Sequence, residues 1–151
     1  MLANKHHEYL KLNKNILLAL TASIIMSALV SHTISDQVDY MNTTYTLITD
    51  YLVYFSTFSG LYYLDNRKKY LLESGQVDKA KLQHDLFKII ASLGFSEVVY
   101  TIIRWFLHYY LLTVEYDAYL ASIVSQVIST IVYMLIVNLG VKMMRLYDHE
   151  N

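Results

Sequence analysis

Five side chains able to do chemistry recur at helical spacing past the middle of the chain. Glu97, Tyr100, Thr101, Arg104 and His108 stand at i, i+3, i+4, i+7 and i+11, positions that share one face of an α-helix. An acid, a guanidinium, an imidazole and two hydroxyls are thereby gathered along one line, inside a stretch, residues 89–112, that is otherwise largely apolar. A charged side chain in hydrocarbon costs roughly 2.5 to 3.5 kcal/mol on insertion scales, so these groups must face inward, toward partners or water. Asp50, in residues 45–64, and Gln126, in residues 118–141, fall at comparable depth. The expectation is an outward-facing polar cluster of Asp50, Arg104, His108 and Gln126, with Glu97 and Tyr133 deeper. At about 1.5 Å per residue, Glu97 comes near the middle of a bilayer and Arg104 about 12 Å below the outer end of its helix.

Two uses of such a face are open. Arg104 offers a planar fork of donors suited to phosphate or carboxylate, while Glu97 and His108 are groups that exchange protons; a carrier needs both capacities. A buried Asp50–Arg104 ion pair that only sets helix register needs the same residues.

The elements that must position these groups follow from hydropathy. The chain has 151 residues, 55% hydrophobic and 17% charged, with no Cys and no Pro, and a mean hydropathy of +0.30. That balance is too apolar for a water-soluble domain of this size. Four stretches match the length of about 20 residues that a crossing helix requires: 16–34 and 118–141, which carry no charge, 45–64 with Asp50, and 89–112 with Glu97 and Arg104. The prediction is an all-α, polytopic membrane protein, a single domain built as a bundle of four transmembrane helices. The uncharged run at 16–34 is longer than the core of a cleaved signal peptide, so it is read as a span.

Of the 12 basic residues, all but Arg104 fall before the first stretch, after the fourth, or around the loop between the second and third. The other two loops hold Asp36, Asp39, Glu115 and Asp117 and no Lys or Arg. The positive-inside rule then puts both termini and the middle loop in the cytoplasm, a multi-pass protein of the cell membrane with N-in/C-in topology. Residues 65–85 are expected to form a cytoplasmic helical hairpin, with Gly75 as a stop and Asp78 as a cap. Thr21 to Val30 can be laid over Gly94 to Ile103, which points to a 2+2 parallel repeat.

Without water between helices, association depends on close approach and hydrogen bonds, and small residues favour both. Ala19, Ser23, Ser27 and Ser31 recur every four residues, a packing stripe. Ser122, Gln126, Ser129 and Tyr133 line one face of the fourth stretch.

Enzyme signatures are missing. No phosphate-cradling glycine loop, GxSxG or HExxH occurs, and only four glycines are present; the expectation is no enzyme, no cofactor and no metal. A net charge of -1 gives no basic face for nucleic acid. Asn42-Thr43-Thr44 is a glycosylation sequon on the predicted outer side.

The segments Tyr62-Tyr63-Leu64-Asp65-Asn66-Arg67-Lys68-Lys69-Tyr70 and Tyr119 to Asn138 resemble GtrA-type proteins. These are small four-span proteins implicated in moving polyprenyl-phosphate-linked sugars across the membrane. The resemblance implies a lipid-linked substrate, with Asn66, Arg67 and Tyr70 matching the family's cytoplasmic-end pattern and Asn138 its second copy. The aromatic-Thr-Phe ending is absent, and Glu97 and Arg104 are foreign to the pattern.

Two functions of different class fit. One is a carrier or flippase for an anionic or lipid-linked solute, working as a homo-oligomer because four helices barely enclose a path. The other is an accessory subunit that stabilises a larger membrane complex. Membrane lipids are partners in either.

Overall fold

The structure, a computed structural model, describes residues 2–92 and 94–147, with side chains at 11, 14–91 and 94–136. The described residues form five helices: α1 (Leu2–Thr33), α2 (Asp39–Tyr70), α3 (Lys79–Ser92), α4 (Gly94–Thr113) and α5 (Ala118–Tyr147). Among the described residues the only β-pairing is one isolated bridge, Leu71 to Val77. Lys14–Thr33 of α1 and Ala118–Ile136 of α5 are long and apolar enough to cross a membrane. α3 and α4 meet that standard only when joined across the break between them, where the axis turns by 63°.

The break alters one expectation. An unbroken helix was expected over 89–112, but α4 begins at Gly94, a poor helix interior residue, and α3 takes the preceding segment. α3 is amphipathic: Leu82, Asp85, Leu86, Ile89 and Ile90 face inward while Lys79, Lys81, His84 and Lys88 are exposed, the i, i+3, i+4, i+7, i+8 pattern of a helix lying on a surface. Glu97 therefore sits in the first turn of α4, and not near its centre.

α1 packs along α2 and α5, and α4 packs along α5 and α2. Successive long helices are antiparallel because the connections are short. At one end Asn42 Nδ2 donates to the carbonyls of Ser31 (2.8 Å) and Ile34 (3.1 Å), covering the C-terminus of α1. α4 stops in a Schellman-type turn, with Tyr116 N donating to Leu111 O at 3.0 Å and Glu115 at φ 61°, the left-handed conformation such a stop needs. At the other end α2 finishes at Tyr70, short of the stop expected at Gly75. A tight turn follows, with Gly75 at φ 78° and Asp78 Oδ1 accepting the amide of Lys81 at 3.0 Å, as an N-cap does.

The distribution of side chains is inverted relative to a water-soluble protein. Among the described residues, fifteen polar or charged side chains are buried against six apolar or aromatic ones, and three of those six are alanines. Leu17, Ile25, Leu52, Ile102, Phe106, Ile131 and Leu135 are instead more than half exposed. Exposed threonines fold their hydroxyls back onto their own helix: Thr21, Thr33, Thr44 and Thr49 each donate to the carbonyl four residues earlier at 2.7 to 2.9 Å. That is the arrangement expected where no water is available to the hydroxyl.

Candidate functional site

The serine stripe on α1 is what permits a polar centre. Ala19, Ser23, Ser27 and Ser31 have no exposed surface, and their small size brings the α1 backbone close enough for its neighbours' polar groups to reach it. α2 contributes Asn42, Thr46 and Asp50, spaced i, i+4, i+8 and all buried. α4 contributes Tyr100, Arg104 and His108, and α5 contributes Ser122, Ser125, Gln126 and Ser129.

Asp50 is the hub. Its Oδ2 accepts from Tyr100 Oη at 2.6 Å and its Oδ1 from Gln126 Nε2 at 2.7 Å, while Arg104 Nε lies 3.8 Å away as an ion pair without a hydrogen bond. The remaining guanidinium nitrogens donate to Ser125 Oγ and, at 3.0 Å, to Ser122 Oγ. Gln126 ties the group to α1, donating to Ser23 Oγ at 2.9 Å and accepting from Ser27 Oγ at 2.8 Å. One continuous set of charge-assisted bonds thus spans α1, α2, α4 and α5. A short distance along, His108 Nε2 is 3.3 Å from Ser31 Oγ, which is itself 2.8 Å from Asn42 Oδ1 and from the Ala118 carbonyl.

Asp50, Arg104 and Gln126 are thus brought together, with His108 a turn further on. The cluster does not open outward as expected: Asp50 is 3% exposed, Arg104 and His108 1%, and Gln126 not at all. The reason is the thinness of α1, whose serines let the helices close over it. Nor is Arg104 presented to an anion, since its fork is already occupied by Asp50, Ser122 and Ser125.

Glu97 and Tyr133 belong to a second, looser site. Glu97 Oε2 accepts from Tyr51 Oη at 3.3 Å, Tyr51 Oη also meets Thr101 Oγ1, and Tyr133 lines the same cavity as the carboxylate. The group is half-buried and has no ion-pair partner among the described residues. A half-open cavity of about 30 Å³ touches it, reached also by Asp50, Tyr54 and Thr130. That is room for about two waters.

Sequence reasoning passed over several of these residues. Thr46 and Ser125 were legible from spacing, since Thr46 falls one helical turn before Asp50 and Ser125 one turn from Ser122 and Ser129. Tyr51 and Tyr54 left no such signal, because tyrosines are spread throughout this chain. Asn42 had been taken as a glycan acceptor; it is 1% exposed with both amide protons committed, so the structure withdraws it from the surface a glycan needs.

The residues of the GtrA resemblance lie elsewhere. Asn66 bonds its own helix, donating to Tyr62 O at 2.9 Å, and Arg67 is exposed. Tyr70 is buried and donates to Tyr62 Oη and, at 2.8 Å, to Asp85 Oδ2. The Asn138 side chain is outside the described residues. Asp85 also pairs with Lys69 at 2.5 Å; the bond from Lys69, then that from Tyr70, holds its carboxyl below the usual range. Nearby, Asp65 accepts from Lys14 at 3.1 Å and Asn15 at 3.0 Å. Partial desolvation there acts upward, but these two bonds outweigh it and keep the carboxyl below its ordinary value. No family model, curated protein or solved structure matches this chain.

Proposed function

We propose that the chain is an integral membrane protein of the cell membrane, crossing four times with both termini in the cytoplasm, and that it carries a small solute past Glu97. Two crossings rest on helices apolar enough by themselves. For α2 and α4 the support is the direction of their side chains: each turns its polar stripe into the bundle and sets Ile48 and Leu52, or Val98, Ile102 and Phe106, on the outside. Lipid tails suit that exterior, and water does not. The Lys14–Asp65 pair joins the start of α1's apolar segment to the end of α2, so the basic residues collect at one end, as N-in/C-in requires.

The observation that carries the transport reading is an interior carboxylate with no basic partner among the described residues, touching a half-open cavity. A group that only locks helices together is paired, as Asp50 and Arg104 are; an acid left without a cation beside open space is placed for exchange. The working form is a homo-oligomer, because four helices leave little room for a path.

Reconstitution tests this. Purified protein in proteoliposomes should couple solute uptake to proton movement, read with a pH dye. Glu97→Gln should abolish the coupling, and a variant that retains it would overturn the proposal. The sealed Asp50–Arg104 network favours a second reading, an accessory subunit of a larger complex. Gentle purification separates the two: unlike subunits held in fixed ratio support the accessory role, and a uniform homo-oligomer removes it.

A further inference from the structure

The walls around Glu97 differ from those expected for an anion. Two carboxylates, Asp50 and Glu97, touch the cavity, and Arg104, the one described guanidinium nearby, is ion-paired to Asp50 and donates to Ser122 and Ser125. Apart from Thr130 the rest of the lining is aromatic or aliphatic, with the rings of Tyr54 and Tyr133 and the side chain of Leu20 among it. A second cavity of about 10 Å³ shares Glu97 and Tyr54 with the first and continues past Phe55 and Phe58.

An ionised carboxylate enclosed by such walls needs a counter-charge, and among the described residues the protein supplies none. Tyrosine faces attract cations, and an apolar groove suits a short hydrocarbon tail. We infer that this cavity binds a primary ammonium with an apolar tail, its headgroup on Glu97 and its tail along Phe55 and Phe58. An ammonium and a proton compete for the Glu97 carboxylate; a proton displaced by the ammonium goes to water, so one positive charge replaces another and affinity rises with pH. The titratable groups facing Glu97 are Asp50, Tyr51 and Tyr54 from α2, Tyr100 and Arg104 on its own helix, and Tyr133 from α5. α1 and α3 present only Ile16, Leu20, Ile89 and Ile90 to the two cavities.

The inference rests on the reading of Glu97 as the carrier's exchange site, and its test is independent of flux. The full chain in phosphatidylcholine nanodiscs is titrated calorimetrically with three probes of matched tail: hexylammonium, hexanol and hexanoate. Hexylammonium should bind about ten-fold or more tighter than the other two, tighter at pH 8 than at pH 6, with release of close to one proton seen from the buffer dependence of the heat. Glu97→Gln should weaken it roughly thirty-fold, and Tyr54→Leu by about five-fold, with helicity checked in each. Equal binding of hexanol, or binding unchanged by Glu97→Gln in a folded protein, overturns the proposal. Should Glu97→Gln fail to fold, the probe series and Tyr54→Leu decide it alone. Adding phosphatidylethanolamine separates two sources of the same chemistry: a lipid ammonium that occupies the site weakens hexylammonium, and a site reserved for soluble amines is unaffected. Amine binding without flux would sink the carrier reading; proton-coupled flux without amine binding would sink this one.

Discussion

Removing Arg104 strands a charge. Asp50 would lose its cationic neighbour at a site that is 3% exposed, and breaking one side of a buried pair costs about 3–5 kcal/mol. Arg104→Leu should therefore lower the unfolding midpoint in detergent sharply. The double variant Asp50→Leu with Arg104→Leu should recover most of that loss, since replacing both partners leaves no isolated charge; a double variant as unstable as the single one would argue against the pair as the cause. The same residues explain a difference in role between two acids. Asp50 has three donors or cations around it, while Glu97 has only hydroxyls among the described residues.

At the scale of elements, α1 is the one whose small residues set how close the others come. Ser27→Leu places a large side chain where no exposed surface exists, and should cost about 1–3 kcal/mol by wedging α1 from α5. Ile25→Leu, on the 56% exposed outer face, should stay within about 0.5 kcal/mol; thermal melts of both variants in one detergent make the comparison. The turn between α2 and α3 has its own signature. Asp85 is held below its ordinary pKa in the fold, so its contribution is fully present above the unfolded value of about 3.9 and is lost as pH falls through the folded one. Protection factors in residues 71–78, with the intrinsic pH dependence of exchange divided out, should be steady from neutral pH to about 5 and fall below about 4. Asp85→Asn should exchange faster throughout and lose that acid dependence; an unchanged profile in the variant would remove Asp85 as the clasp.

At the scale of the whole molecule, the inversion of polar and apolar residues implies which solvent surrounds each surface, and topology can be tested directly because the chain has no cysteine. Asp36→Cys and Tyr116→Cys should react with an impermeant maleimide on intact cells, and Ser74→Cys only after permeabilisation; the reverse pattern would overturn the N-in/C-in proposal. Much of the architecture was legible in advance. Helix, apolar span and charge bias are local properties, readable from a few adjacent turns, and so the helical class, the serine stripe of α1 and the inward face of α4 could be drawn from spacing alone. The break at Gly94 was not, since an apolar segment with one glycine reads equally well as straight or bent, and the turn depends on what α3 finds to pack against. Pairing was decided only in three dimensions. Nothing in the order of residues says that Asp50 rather than Glu97 takes Arg104, because that choice depends on which faces of four helices meet and at what height. The tertiary structure sealed one acid among donors from four helices and left the other beside open space.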